Sequence, residues 1–215
     1  MITFRREYLD AELEALLPTM AGRVLDVGGR KSNKRGRFRP PLGQVSSWKY
    51  ANPDAAAEPD FLAGAESIPA TDSSFDLIVM TEVLEYVSNP AAALTEMNRL
   101  LVQGGRLILS VPLQCPVHGD AEQDFFRFTR AGTALLLSRA GFRNFSISEM
   151  GGLGAILFDA LEAATGYAHP GQRKLSVKIS RKLLYFAEPL FWLVEKIFRK
   201  QRSSLTTGYF VVATK

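Results

Sequence analysis

At 215 residues the chain is long for one domain of roughly 150 and short for two, so one domain with an elaboration is expected. Its 47% hydrophobic and 22% charged residues match ordinary globular usage and exclude a disordered, collagenous or low-complexity protein. The single cysteine, Cys115, cannot form an intrachain disulfide, and the opening Met1-Ile2-Thr3-Phe4-Arg5-Arg6-Glu7 holds no apolar run before a small-residue cleavage site. Both features fit a reducing, cytoplasmic setting.

The net charge of +4 is unevenly spread. Seven bases and no acid stand between Asp26 and Asp54, whereas residues 51–100 hold nine acids and one base, Arg99. Residues 173–202 reverse again, with nine bases against Glu188 and Glu195. Solvated faces are the ordinary meaning of such blocks, but alternation on this scale points to separate sites for cationic and anionic groups.

In chain order, Leu9, Leu13, Leu16, Leu17 and Met20 recur at helical spacing, and Arg23-Val24-Leu25-Asp26-Val27 reads as a short buried strand. Residues 29–43 offer only Phe38 and Leu42 as large apolar side chains and read as a basic loop where an α/β unit would normally have a helix. Trp48-Lys49-Tyr50-Ala51 predicts a second strand, and Phe75 to Met80 is an apolar run of the kind found inside a parallel sheet. Asn89-Pro90 opens a helix with Leu94, Met97, Leu100 and Leu101 inside, ended by Gly104-Gly105. Arg106 to Val111 is the next strand. Thr129 caps a helix to Ala140 with Leu135, Leu136 and Leu137 inside, and Phe145–Ser148 and Tyr209–Ala213 are strands. Strands alternating with helices predict a doubly wound parallel sheet, whose ligands bind beyond the carboxyl ends of the strands.

Residues 151–205 are too long for a connection. One helical pattern runs through Leu153, Ile156, Leu157, Ala160, Leu161 and Ala164. A second combines Leu183, Phe186, Leu190, Leu193 and Ile197 with an adjacent stripe of Leu184, Ala187, Phe191, Val194 and Phe198, and Glu188-Pro189 predicts a break within it. No run of 18 apolar residues suggests a membrane span. The expected divisions are 1–150 with 206–215, and a helical insertion at 151–205.

Val24-Leu25-Asp26-Val27-Gly28-Gly29, then Asp76 to Val87, then Arg99-Leu100-Leu101-Val102-Gln103-Gly104-Gly105 together resemble class I S-adenosylmethionine-dependent methyltransferases, over residues 23–150 with a last strand at 207–214. His118-Gly119 followed by Asp124-Phe125-Phe126-Arg127-Phe128-Thr129 is similar to a branch common in sugar and cell-surface polysaccharide biosynthesis. The resemblance implies a Rossmann-like, mostly parallel seven-stranded sheet with an antiparallel last strand, S-adenosyl-L-methionine as cofactor, and a small or glycan-type acceptor. No metal is expected.

Gly28 and Gly29 can form the close turn that such a cofactor needs. Asp54, after the second strand, can accept bonds from ribose hydroxyls. Asp26 is read as a structural or cofactor-amino partner. The resemblance adds Thr81 and Glu82 at the methionine end and Glu66 near the adenine, with Tyr86 and Arg127 toward the acceptor. His118 is the candidate base, with Asp124 beside it. Arg30 and Ser32 stand where the family has further glycines, and Gly64 stands where it has an acid. These departures keep a catalytically inactive binding subunit open as an alternative, and a peripheral membrane adaptor is the second.

The basic loop could hold a phosphate or be a solvated surface. Duplex nucleic acid is not expected, because the acidic block lies close by and no aromatic ladder accompanies the bases. For residues 175–202 three outcomes are open: packing on the sheet domain, pairing in a homodimer, or lying on an anionic bilayer at the inner face of the cell membrane.

Overall fold

The computed structural model describes residues 3–32, 36–117, 122–166, 175–198, 200 and 204–215. Seven strands form one sheet: β1 (Arg23–Val27), β2 (Ser47–Asn52), β3 (Phe61–Leu62), β4 (Phe75–Thr81), β5 (Leu101–Pro112), β6 (Asn144–Met150) and β7 (Gly208–Thr214). Their order is β3-β2-β1-β4-β5-β7-β6. Neighbours among β1 to β5 run parallel, and β7 is antiparallel to both β5 and β6. The α/β, doubly wound sheet with an antiparallel last strand is therefore as expected. Its central strands are covered on both faces, which is why Leu77, Ile78, Val79 and Met80 follow one another without a polar residue and are all buried.

Helix α1 (Phe4–Leu16) covers one face, with Leu9 and Leu13 against Val24, Leu77, Val79 and Ile108. Helices α2 (Pro90–Leu100) and α3 (Arg130–Arg139) cover the other, where Leu94, Met97 and Leu137 join the larger core. Both begin as the sequence indicates. The Asn89 side chain accepts from Ala92 N with Pro90 in the first turn, and the Thr129 hydroxyl accepts from Gly132 N.

Three local expectations are corrected. Helix α2 ends at Leu100 without a glycine cap, because Leu101 turns directly into β5; Gly104-Gly105 lies inside that strand, beside a register shift between β4 and β5. In α3 Leu137 is buried but Leu135 is half exposed, since three consecutive residues span too much of a helix to share one face.

The third correction concerns the insertion, which folds as α4 (Leu153–Gly166), α5 (Leu175–Phe186) and α6 (Glu188–Ile197); the expected break falls at Ala187, immediately before Glu188-Pro189, which opens α6. The buried side of α4 is Ala155, Phe158 and Asp159, while Leu157 and Leu161 face outward. The reason is what α4 packs on: α5, α6 and the start of α1. Phe158 packs on Phe4, and the Asp159 carboxylate accepts from Phe4 N at 2.8 Å and Arg5 N at 3.1 Å, satisfying donors that the first turn of a helix leaves open. Burial pushes the Asp159 carboxyl up to about 6, outweighing those bonds and the nearby Arg5 cation.

Candidate cofactor and acceptor site

A cavity of about 370 Å³ opens where the strand order reverses between β1 and β4. This is the position at which doubly wound sheets bind ligands, and the volume lies in the usual range for small-molecule sites. It is lined by Asp26, Val27, Gly28, Gly29, Val79 and Thr81 of the sheet and its turns, by Arg6 and Leu13 of α1, and by Phe38 and Pro40 of the basic loop.

The turn after β1 is built by steric necessity. Gly28 takes φ +77 and donates to Ala51 O at 2.8 Å, and a Cβ there would overlap Val83. A Cβ on Gly29 would overlap the Asp26 carboxyl group, so that carboxylate is tucked into the turn. It accepts from the Trp48 indole at 3.3 Å. Tyr50 stands opposite Asp26 in the β1/β2 register; burial, then the carboxylates of Asp26 and Asp60, push its hydroxyl up to about 12, so it stays protonated.

Glu82, directly after β4, has the left-handed value φ +57, which a non-glycine residue adopts only under constraint. The constraints are visible. Its backbone N donates to Ser110 Oγ at 3.0 Å, Ser110 Oγ donates to its Oε1 at 2.6 Å, and its Oε2 pairs with the Arg5 guanidinium. Arg5 is 5% exposed and also donates to Cys115 Sγ at 3.1 Å. Burial disfavours its charge, but Glu82 above all outweighs this and raises its pKa. Helix α1, β4, β5 and the segment after β5 thus converge on the Arg5–Glu82 pair, whose carboxylate lines the cavity.

Of the residues named from sequence, Asp26, Gly28, Gly29, Thr81, Glu82 and Tyr86 line the cavity. Asp54 and Glu66 are not on its wall. Asp54 caps a short turn through Ala56 N at 2.9 Å and lies 3.9 Å from Arg30, and Glu66 accepts from the Ser88 hydroxyl at 3.5 Å. The strand-end position belongs instead to Asn52, whose Nδ2 donates to Gly28 O and Gly29 O at 3.1 and 3.0 Å.

Asp124 and Arg127 also lie off the wall, joined to each other. Arg127 donates to both Asp124 oxygens at 2.5 and 2.8 Å and to the carbonyls of Cys115 and Pro116, clamping the segment after β5. The Asp124 side chain has no solvent exposure, so as found it positions this segment. Phe125 N and Phe126 N donate to Glu85 O, and both side chains remain partly exposed. His118 lies outside the described residues.

Sequence reasoning missed Arg6, Phe38, Pro40 and Asn52 as lining residues. Phe38 carried a signal, being one of two large apolar side chains in an otherwise polar loop. It is buried near the Trp48 ring, at 6.3 Å between centroids. The cations of that loop are partly engaged, with Lys31 on Asp60 at 3.1 Å and Arg37 on Glu14 at 3.5 Å.

Fold and cavity define a doubly wound domain with a nucleotide-type cofactor site at the switch point. Residues 1–147 match the methyltransferase-domain family, and the chain belongs to it. It is similar to a demethylmenaquinone methyltransferase of Renibacterium salmoninarum, 37% identical over 70 residues, covering 32% of this chain and 28% of that protein. A ubiquinone/menaquinone biosynthesis C-methyltransferase of a Ruegeria species is 29% identical over 133 residues, covering 55% of this chain and 53% of that one. The chain thus spans about half or less of the length of these curated relatives. Among solved structures, a SAM-dependent methyltransferase of Thermotoga maritima superposes with a TM-score of 0.56 at 19% identity, covering 99% of this chain and 91% of that chain. The fold is that of the S-adenosylmethionine-dependent methyltransferases.

The residues present fit that cofactor. Two carboxylates, Asp26 and Glu82, suit an ammonium group; Asn52 Oδ1, which accepts from Asp54 N at 2.9 Å, keeps a second lone pair for a ribose hydroxyl; the glycine turn leaves backbone accessible, and Val27, Val79 and Val83 provide apolar surface. Among the described residues no cluster of side chains suits a metal ion.

Proposed function

We propose that the chain transfers a methyl group from S-adenosylmethionine to an oxygen nucleophile of a small or glycan-type acceptor. The observation that carries the methyl-transfer part is the Gly28-Gly29 turn folded over the Asp26 carboxylate at the β1/β4 switch point, within the matched family segment. When bound, the cofactor supplies a methyl group on a sulfonium, open to in-line displacement. The chain's task is then alignment and exclusion of water, which can contribute ~7–11 kcal/mol of the barrier.

Asp26 and Glu82 hold the amino-acid end by charge, and Asn52 takes the role first given to Asp54 at the ribose. Arg6, Phe38 and Pro40 close the wall against solvent. His118 is the proposed general base, a role typically worth ~10²–10⁴-fold. Asp124 and Arg127 tie together the described residues on either side of it, Cys115 and Pro116 before and Asp124 after. The glycan-type acceptor rests on the sequence resemblance from His118 to Thr129 and on the partly exposed Phe125 and Phe126 rings, against which a sugar face can lie.

A second reading, C-methylation of a quinone-type ring, is favoured by the names of the two curated relatives and suits the same aromatic rings. Calorimetry with S-adenosylhomocysteine tests the cofactor. Labelled methyl transfer to nucleotide sugars, glycans and demethylated quinones then tests the acceptor. Turnover with a glycan supports the first reading and turnover with a quinone the second. Absence of any cofactor binding returns the chain to an inactive binding subunit.

A further inference from the structure

The insertion uses only one of the two apolar stripes of α5 and α6 for packing. Leu184 is buried, and Tyr185, Phe191 and Trp192 pack with Phe4 and Phe158 against the start of α1. The other stripe, Ile179, Leu183, Phe186, Leu190, Leu193 and Ile197, advances in alternating steps of four and three residues across the break between the helices. All six side chains are more than half exposed, Phe186 at 75%. Leu157 and Leu161 of helix α4 are also exposed. Apolar stripes of this length ordinarily find a partner.

The charges around the stripe indicate which partner. The acids of the insertion are engaged with the protein itself. Glu195 is 2% exposed, accepting from the Tyr8 hydroxyl and Ala155 N; Glu162 pairs with Arg181, and Glu188 accepts from the Trp192 indole. Lys182, Lys196 and Lys200 are exposed, each three residues after a stripe member, so they lie along one border of it. The opposite border carries Ser180, Ala187, Val194 and Phe198 and no charge. A second copy would therefore offer these lysines no acid, and an antiparallel pairing would set lysine against lysine. Among the described residues no helix is long and apolar enough to cross a membrane.

We infer that this stripe is a docking surface for an anionic lipid bilayer, on which α5 and α6 lie with their apolar side chains at the acyl boundary and their lysines among the headgroups. The inference is independent of the acceptor. The test is flotation of the full chain with neutral phosphatidylcholine vesicles and with vesicles containing phosphatidylglycerol, at low and high salt. Binding to the anionic vesicles alone, weakened by salt, is expected. The Lys182→Glu/Lys196→Glu/Lys200→Glu variant should lose about a hundredfold or more in partitioning, and Phe186→Ser/Leu190→Ser should also detach. Both sets of positions are exposed, and unchanged thermal melting would verify that the variants remain folded. Equal binding of the wild type and the charge variant would overturn the inference, as would absence of flotation together with a stable dimer that Phe186→Ser/Leu190→Ser dissociates.

Discussion

The carboxyl group of Asp26 fills the space in which a Cβ on Gly29 would stand, so the second glycine of the turn is dictated by the acid three residues before it. Gly29→Ala should destabilise the fold by about 1–3 kcal/mol, the usual effect of overpacking, and weaken S-adenosylhomocysteine binding. Adding Asp26→Ala should restore the melting temperature but not the binding, because the double variant regains space and loses the carboxylate. Thermal melting and calorimetry read the two effects separately.

Asn52 and Asp54 stand two residues apart with different tasks. Asn52→Ala removes the amide that ties Gly28 O and Gly29 O, and should reduce cofactor affinity roughly tenfold, the equivalent of one or two ordinary hydrogen bonds. Asp54→Ala removes a turn cap and should cost about 1 kcal/mol of stability with affinity within a few-fold. A larger loss of affinity at Asp54 would return the ribose contact to the carboxylate.

Arg5 and Glu82 form the ion pair that couples α1 to the cavity rim. Arg5→Leu leaves Glu82 confronting a nearly buried apolar side chain, and should cost roughly 2–4 kcal/mol, somewhat below a fully buried pair because Glu82 keeps some solvent contact. Glu82→Gln in the same background should recover part of this. A denaturant double-mutant cycle measures the coupling.

Asp159 sets a pH dependence with a definite sign. Its carboxyl is raised from an ordinary 3.8 to about 6, so the folded protein takes up a proton that the unfolded chain releases. The associated stability is complete below the ordinary value and is lost as pH rises through about 6. Relative to Asp159→Asn, the wild type should lose about 2 kcal/mol between pH ~4 and ~6.5 and change little above pH ~7. A flat difference across that window would place the Asp159 carboxyl at its ordinary value.

Every strand but the two-residue β3, two of the helix caps and the break at Glu188-Pro189 were legible because they rest on local causes: apolar runs, side-chain acceptors before a first turn, and a proline that cannot continue a helix. Gly28, Gly29, Thr81 and Glu82 were legible because a strand end in a doubly wound sheet points at its ligand edge wherever the rest of the chain goes. Asn52 was passed over for Asp54 because chemistry favoured the carboxylate, whereas the end of β2 fixed which side chain reaches the cavity.

The sequence by itself determined the sheet, its order of elements and the glycine turn, since periodicity and backbone freedom act within a few residues. Tertiary structure alone decided which apolar stripe is core. Leu157 and Leu161 repeat at the same spacing as a buried face, and Leu183 is as apolar as Leu184, yet α4 turns Phe158 and Asp159 inward because the N-terminus of α1 needs both an aromatic contact and an acceptor there. It likewise brought Arg5 to Glu82 and Arg6 and Phe38 to the cavity wall. Such pairings join residues far apart in the chain, and the physical reason that no local pattern encodes them is that each is fixed by the packing of whole elements.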